Sequence, residues 1–337
     1  MPQELKDKIE EQIRSELNAR LGSGEDYLRQ LMLDRKKELL LERYNQLSDA
    51  EHPFLRMLHI DVKWELVKPV MRFVDNKDSL WAYARNIVSS NPYEGTFGRR
   101  IRYFIQDEMS GRWLGFVELS SPKKSVKPRE QFIGWKMKDR LPKLVNILDM
   151  SVCVPIQPFG ILCGGKLLAL SSLSNEVRDF YQHEYGDDLL AIETTSLFGK
   201  SSQYNRLPEF EYIGLTEGYN TGYLTDDIKR KINTFFLLSE DNTGSHSKMM
   251  RRIDRLSTNK LFFPRGYYWG RLATNTDNIL RSVEKEPSYI NRPFADIVDQ
   301  WDKRWYRMRL AKKIDDVLSF DQSIYSLRYY LDNLPVQ

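Results

Sequence analysis

The chain has 337 residues, 41% of them hydrophobic, enough for a sizeable core in one large domain or in two to three smaller ones. Its 51 basic and 47 acidic residues leave a formal charge of +4, too small at this length to identify a partner by itself. Two cysteines, Cys153 and Cys163, and four scattered histidines exclude a disulfide framework and give no zinc-site spacing, so no metal is expected. No run approaches the ~18 apolar residues of a membrane helix, and the start MPQELKDKIEEQ lacks the features of a signal peptide. A cytoplasmic protein without membrane contact is expected.

Residues 1–60 read as an N-terminal helical region. Ile9, Ile13, Leu17 and Leu21 recur every four residues, Gly22-Ser23-Gly24 interrupts, and Leu28, Leu31, Leu39 and Tyr44 continue the apolar face. A helical hairpin is predicted. It either packs on the body or reaches out as an arm to a protein partner, to nucleic acid or into a larger particle.

The middle, 61–224, changes character. Ile101 to Ser121 reads as two strands joined at Met109-Ser110-Gly111, and Leu144 to Ile156 as a third. A turn containing Gly160, Gly164 and Gly165 follows, then a helix from Lys166 to Tyr185 ended by Gly186. The strand LLAIETTSLFG, a short helix from Lys200 to Leu207 and the strand FEYIGLTEG complete the unit. A glycine-rich turn between a strand and a helix leaves amides free for a phosphate, although it serves equally well as a tight turn in a core.

Residues 225–337 read as a basic, aromatic-rich and mainly helical extension. From Lys248 to Arg271 seven basic residues, among them Arg251, Arg252, Arg255 and Arg265, face one acid, Asp254, with Phe262, Phe263, Tyr267, Tyr268 and Trp269 between them. From Lys303 to Lys313 there are six more, with Trp305 and Tyr306 interleaved. Such mixtures suit a groove in which cations follow phosphates and rings stack on bases; a solvated helix face with its aromatics turned inward is the alternative. The segment Tyr93 to Arg102, with Arg99 and Arg100, is a second candidate for holding DNA.

The order strand hairpin, strand, glycine turn, helix, strand, short helix, strand resembles the GNAT acyltransferase fold: an α+β domain with a mixed central sheet and helices on both faces. Gln157-Pro158-Phe159-Gly160 matches the first half of that family's pyrophosphate loop, while Leu162 stands where its second small residue is expected. The segments NPYEGTFGRRIRYFIQDEMSGRWLGFVELSS, FIGW, LLAIETTSLFG and SSQYNRL...YIGLTEGY look more closely like the Druantia DruA-type family, which is similar to the phage Mom enzymes that modify adenine N6 in DNA.

The resemblance implies acetyl-coenzyme A or a related acyl-CoA as donor of an acyl or methylcarbamoyl-type group, DNA as acceptor, and protection of a genome from nucleases, with phage-encoded origin a possibility. Ser151, Val152 and Cys153 would face the pantetheine arm, and Gln157, Gly160, Gly164, Gly165 and Lys166 would receive the diphosphate. Glu193 would accept the amine proton, Tyr204 would protonate the departing thiolate and Ser201 would orient substrate. The bland alternatives are a Glu193–arginine pair at a strand end and a core tyrosine at 204. The alternative function is a non-catalytic nucleic-acid-binding subunit of a defence or counter-defence complex.

Overall fold

A computed structural model describes residues 2–20, 24–58, 62–93, 98–135, 140–197, 199–216, 224–238, 246–256 and 264–333. The Gly22-Ser23 break, Phe262 and Phe263, and the tip of the Tyr93 to Arg102 segment lie outside the described residues. In chain order the helices are α1 (Pro2–Arg20), α2 (Gly24–Glu42), α3 (Tyr44–Arg56), α4 (Ser79–Ile87), α5 (Lys127–Ile133), α6 (Gly164–Ser171), α7 (Asn175–Tyr185), α8 (Asp226–Leu238), α9 (His246–Leu256), α10 (Thr276–Leu280), α11 (Phe294–Trp301), α12 (Arg307–Leu318) and α13 (Leu327–Asn333). The strands are β1 (Pro69–Phe73), β2 (Arg100–Asp107), β3 (Trp113–Ser120), β4 (Ile147–Pro155), β5 (Ala191–Ser196), β6 (Phe210–Leu215) and β7 (Gly266–Arg271).

The seven strands form one sheet in the order β1-β2-β3-β4-β5-β7-β6. Every neighbour pair is antiparallel except β4 and β5, which run parallel over only three pairs: Ile147 with Ala191, Leu148 with Ile192 and Asp149 with Glu193. Beyond Asp149 and Glu193 these two strands part. The ladder between β3 and β4 pairs Glu118 with Val152 but Leu119 with Met150, which leaves Ser151 as the extra residue of a β-bulge.

Helices cover both faces, as expected of the α+β class. On one face, Leu167, Leu168 and Leu170 of α6, Val177 of α7 and Trp301 of α11 pack on Leu148 and Ile192. On the other, Phe54 of α3 and Trp81 of α4 pack on Phe104, Phe116 and Val152, and Ile133 of α5 packs on Trp269. The predicted helix from Lys166 to Tyr185 is two helices, because the Ser174 hydroxyl accepts from the Val177 amide and starts α7 afresh. Lys200 to Leu207 forms turns instead of the predicted short helix.

The C-terminal extension is less separate and less purely helical than the sequence suggests. Its segment Gly266–Arg271 enters the central sheet as β7, between β5 and β6. The chain between β6 and β7 carries α8 and α9, which meet α1 in a satellite core of Ile9, Ile13, Leu17, Ile228, Ile232, Met249, Met250 and Ile253. Arg252 binds Glu10 through two hydrogen bonds (2.6 and 2.9 Å) across that junction.

Candidate functional site

Alternate side chains of a strand share a face. In β2, β3, β4 and β5 a single charged residue interrupts each apolar run at such a position: Arg102 between Ile101 and Tyr103, Glu118 between Val117 and Leu119, Asp149 between Leu148 and Met150, and Glu193 after Ile192. Register brings them together. Arg102 opposes Glu118, Asp149 opposes Glu193, and Ser120 on β3 opposes Asp149, so a charged row crosses four adjacent strands on the face beneath α4 and α5.

At one end, Arg102 Nε lies 2.7 Å from Glu118 Oε2, with both side chains at 3% exposure or less. The remaining Arg102 donors reach the Asn76 carbonyl (2.7 Å) and the Tyr93 hydroxyl (2.9 Å). Arg100 Nε stands 3.9 Å from Glu118, and the Ser151 hydroxyl donates to Glu118 Oε1 at 3.1 Å. At the other end, α5 carries Arg129 and Ile133 one turn apart on its inner face, and Gly134 at φ 78° ends the helix. Ile133 packs on Trp269 while Arg129, fully buried, donates to both Glu193 oxygens at 2.9 and 3.1 Å.

Asp149 is different. It is half-buried and makes no hydrogen bond or ion pair among the described residues. Burial, followed by the negative charge of Glu193, pushes its carboxyl up to about 7, against the opposing charges of Lys123, Arg265 and Arg129. Burial also raises Glu193, with Arg129 opposing, and lowers Arg265, for which Asp149 is the compensating charge. Tyr267, buried beside Glu193, is raised well above the ordinary phenol value by burial first and by Glu193 second.

Where β4 and β5 part, the inner edge of β4 needs other partners. Thr194 Oγ1 donates to the Met150 carbonyl (3.0 Å), and Gln203 Nε2 donates to the Cys153 carbonyl (3.0 Å) and touches its Sγ at 2.8 Å. A cleft of about 410 Å³ opens there, lined among others by Asn91, Ser151, Thr195, Ser201, Gln203 and Tyr204. Burial pushes the Cys153 thiol up to about 12, so it stays protonated at neutral pH.

Several sequence expectations fail on this geometry. Glu193 is the arginine-paired carboxylate of the bland alternative, 2% exposed. Tyr204 packs its ring 5.0 Å from that of Tyr268, and burial raises its hydroxyl far above the usual phenol range, which makes it a reluctant acid. Ser201 lines the cleft, but its amide donates to the Tyr268 hydroxyl and its Oγ accepts from the Gln203 amide.

Most amides of the glycine turn are engaged within the turn itself. The amides of Ile161, Leu162, Cys163, Gly164 and Lys166 all donate to carbonyls of residues 158–163. A Cβ on Gly164 would lie 2.2 Å from the Phe159 ring, one on Gly160 2.6 Å from the Gln157 amide and one on Gly165 3.2 Å from the Gln203 side chain. These glycines serve packing. The Lys166 ammonium is bound by the carbonyls of Ser202 (2.8 Å) and Asn205 (2.7 Å), and Val152 belongs to the core under α4.

The aromatic groove is likewise replaced by a core strand: Tyr267, Tyr268 and Trp269 of β7 are each 1% exposed or less and cannot stack on a base. In α9, Arg252 is bound to Glu10, while Arg251 and Arg255 stay exposed far along the chain from the row. Arg99 is held by Asp187 (2.5 Å) and Tyr181 (2.6 Å). The row and its cleft do unite Tyr93, Arg100, Glu193, Arg265 and Tyr267, together with Ser151, Val152, Cys153, Gln157, Ser201 and Tyr204 along the cleft, from the sequence candidates. Missed were Glu118, Arg129 and Asp149, while Arg102 was named only as the end of the Tyr93 to Arg102 segment. The available signal was a lone charge inside each of the apolar strands β3 and β4 and an arginine one helical turn from Ile133. No group of three or more His, Cys, Asp or Glu side chains is arranged for a metal among the described residues, and no described helix is long and apolar enough to cross a membrane.

The family model of the Druantia protein DruA matches residues 23–243, a span that holds Arg102, Glu118, Arg129, Asp149 and Glu193 and stops before β7. The Druantia protein DruA of Escherichia coli (strain UMEA 4076-1) is 29% identical over 276 residues, covering 69% of this chain and 68% of that protein. No solved structure matches.

Proposed function

The chain belongs to the DruA family, and on that premise, together with the charged row, we propose that it is a component of anti-phage defence that acts on nucleic acid, holding a nucleotide against the row where β4 and β5 part. The row carries this reading. Taking a charge out of water costs several kcal/mol per ion before pairing offsets it, so four charged side chains on one sheet face, with Arg129 of α5 against them, are poor stabilisers and good indicators of a site.

Their roles divide by their bonds. Glu118 and Glu193 are occupied by arginines, whereas Asp149 is unbound and changes between acid and carboxylate near neutral pH. Such a group suits proton transfer. The finer form of the reading is transfer of an acyl-type group from an acyl thioester to adenine N6: the nitrogen attacks the acyl carbon, the C–S bond breaks, the thiolate departs, and Asp149, in place of Glu193, takes the amine proton and can hand it to that thiolate. The base must leave the stack to reach the row, and Asn91, Ser151 and Thr195 in the cleft offer it hydrogen-bond partners.

The closed turn at Gly164 favours a second reading, a nucleic-acid-binding subunit that works with other defence proteins and performs no chemistry. The two separate in cells that carry the chain with its genomic neighbours, by mass spectrometry of nucleosides and by phage plating. Modification requires a new nucleoside that Asp149→Asn abolishes. Only ordinary nucleosides, with protection unaffected by Asp149→Asn, select the binding subunit. Unchanged phage plating when the chain is deleted rejects the defence role.

A further inference from the structure

On the sheet face opposite the charged row, two cations share one indole and a third, Arg206, adds its charge beside them. Lys166 comes from α6, Arg206 from the turns between β5 and β6, and Arg304 from the π-helical turn Asp302–Tyr306 that joins α11 to α12. Lys166 Nζ lies 5.5 Å from the centre of the Trp305 ring, and the Arg304 guanidinium carbon lies 4.6 Å from the same centre. The carbonyls of Ser202, Gln203 and Asn205 fix the ammonium. The Arg206 backbone, at φ 66°, follows directly on that last carbonyl.

Like charges repel, and here nothing negative separates them. Arg206 and Arg304 are exposed and make no hydrogen bond or ion pair among the described residues. Lys166 is lowered by burial and by the charges of Arg206 and Arg304, with the Cys163 thiol opposing them and no carboxylate among the groups that act on it. The nearby acids face elsewhere: Asp302 is ion-paired with Arg307 at 2.6 Å, and Glu209 accepts from Gln300 at 3.3 Å. The face of Trp305 attracts cations and helps to hold them together, but it does not neutralise them.

We infer that Arg206 and Arg304, with the charge of Lys166 behind them, form a phosphate-binding site. Two free guanidinium forks supply the donors and the carbonyl-bound ammonium adds only its positive charge, which suits a multiply charged tetrahedral oxyanion. A single carboxylate is filled by one fork. The turns that carry Arg206 also place Ser201, Gln203 and Tyr204 on the β4/β5 cleft, so a strand held by its phosphates here lies at the rim of that cleft. The inference goes beyond the proposed function and stands without it, because no residue of the charged row takes part.

The phosphate can belong to a nucleic-acid strand or to a free nucleotide, and fluorescence anisotropy with labelled dT20, competed by ADP and by inorganic pyrophosphate, distinguishes them. Arg206→Gln and Arg304→Gln change exposed side chains and keep their polarity; Lys285→Gln, exposed beside α10, is the control. Removing one cation from a strand phosphate lowers the log–log salt slope for single strands by ~0.7, about fivefold in affinity at 0.1 M salt. The double variant is expected to lose roughly 25-fold with a slope smaller by about 1.4. Loss of dT20 binding in the double variant assigns the site to a strand. ADP or pyrophosphate binding lost in the double variant, with dT20 unbound throughout, assigns it to a nucleotide. Equal affinity and slope in parent and double variant overturn the site, as does failure of all three probes to bind the parent.

Discussion

Asp149→Asn tests the assignment of the free carboxyl without any knowledge of substrate. An acid raised in the folded state favours folding while it is protonated. Its contribution is full below the ordinary aspartate value of 3.8 and is lost as pH rises through about 7. One pKa unit is worth ~1.36 kcal/mol, so the move from 3.8 to about 7 corresponds to about 4 kcal/mol. Sharing the proton with Glu193 and partial solvent access reduce this to roughly 2–4 kcal/mol. The amide variant carries no such penalty. Its stability minus that of the parent, from urea denaturation at several pH values, is expected to rise between about pH 4 and 7 and to level off above that. The facing groups Glu193, Lys123, Arg265, Arg129 and Tyr267 are present in both proteins and largely cancel in the difference. A flat difference between pH 4.5 and 8, or one that falls as pH rises, would refute the placement of Asp149 in a burial-dominated site.

Arg129→Met removes the partner of a buried carboxylate and is expected to cost ~3–5 kcal/mol at pH 8, with Glu193→Gln in the same chain restoring most of it. Because burial raises Glu193, the loss should shrink as pH falls and protonation makes a cation unnecessary; losses in urea melts that do not change with pH would contradict this. Gly164→Ala pushes a methyl into the Phe159 ring and should cost ~1–3 kcal/mol in thermal or urea melts, while Gly165→Ala, facing the flexible Gln203 side chain, should cost less. A Gly164→Ala protein as stable as the parent would reopen the phosphate-cradle reading of the turn.

Much of the sheet was legible in the sequence because its signals are local. The hairpin was expected around Met109-Ser110-Gly111 and forms as β2 and β3; the strand before Gly160 is β4, and the two short strands are β5 and β6. What escaped were features that depend on long-range pairing. GYYWGR has the bulky residues and flanking glycines of a buried strand, but its basic surroundings suggested stacking on bases. Only its insertion between β5 and β6 shows that the rings are core. The glycines of the 157–166 turn were visible, yet whether their amides are free depends on carbonyls in the turn itself, and whether a Cβ fits depends on Phe159 and Gln203.

The row depends on one further long-range feature. Side chains alternate strictly along a strand, so a slip of one residue exchanges its faces, and four lone charges in four strands could not be assigned to a common face from the sequence. In β4 the bulge at Ser151 alters the alternation itself. Asp149 and Val152 are three residues apart and would fall on opposite faces of a regular strand. With Ser151 as the extra residue, Asp149 joins the row while Val152 packs beneath α4 with Trp81, and Met150 and Cys153 both turn to the core beneath α6. The parallel contact with β5 then ends at the pair Asp149–Glu193, next to the bulge, so the strands separate where the unbound carboxyl stands. Burial, a like charge and the point where two strands part thus meet at Asp149 through the pairing of β4 with its two neighbours, and that pairing leaves its carboxyl as the acid of the row without a bonded partner among the described residues.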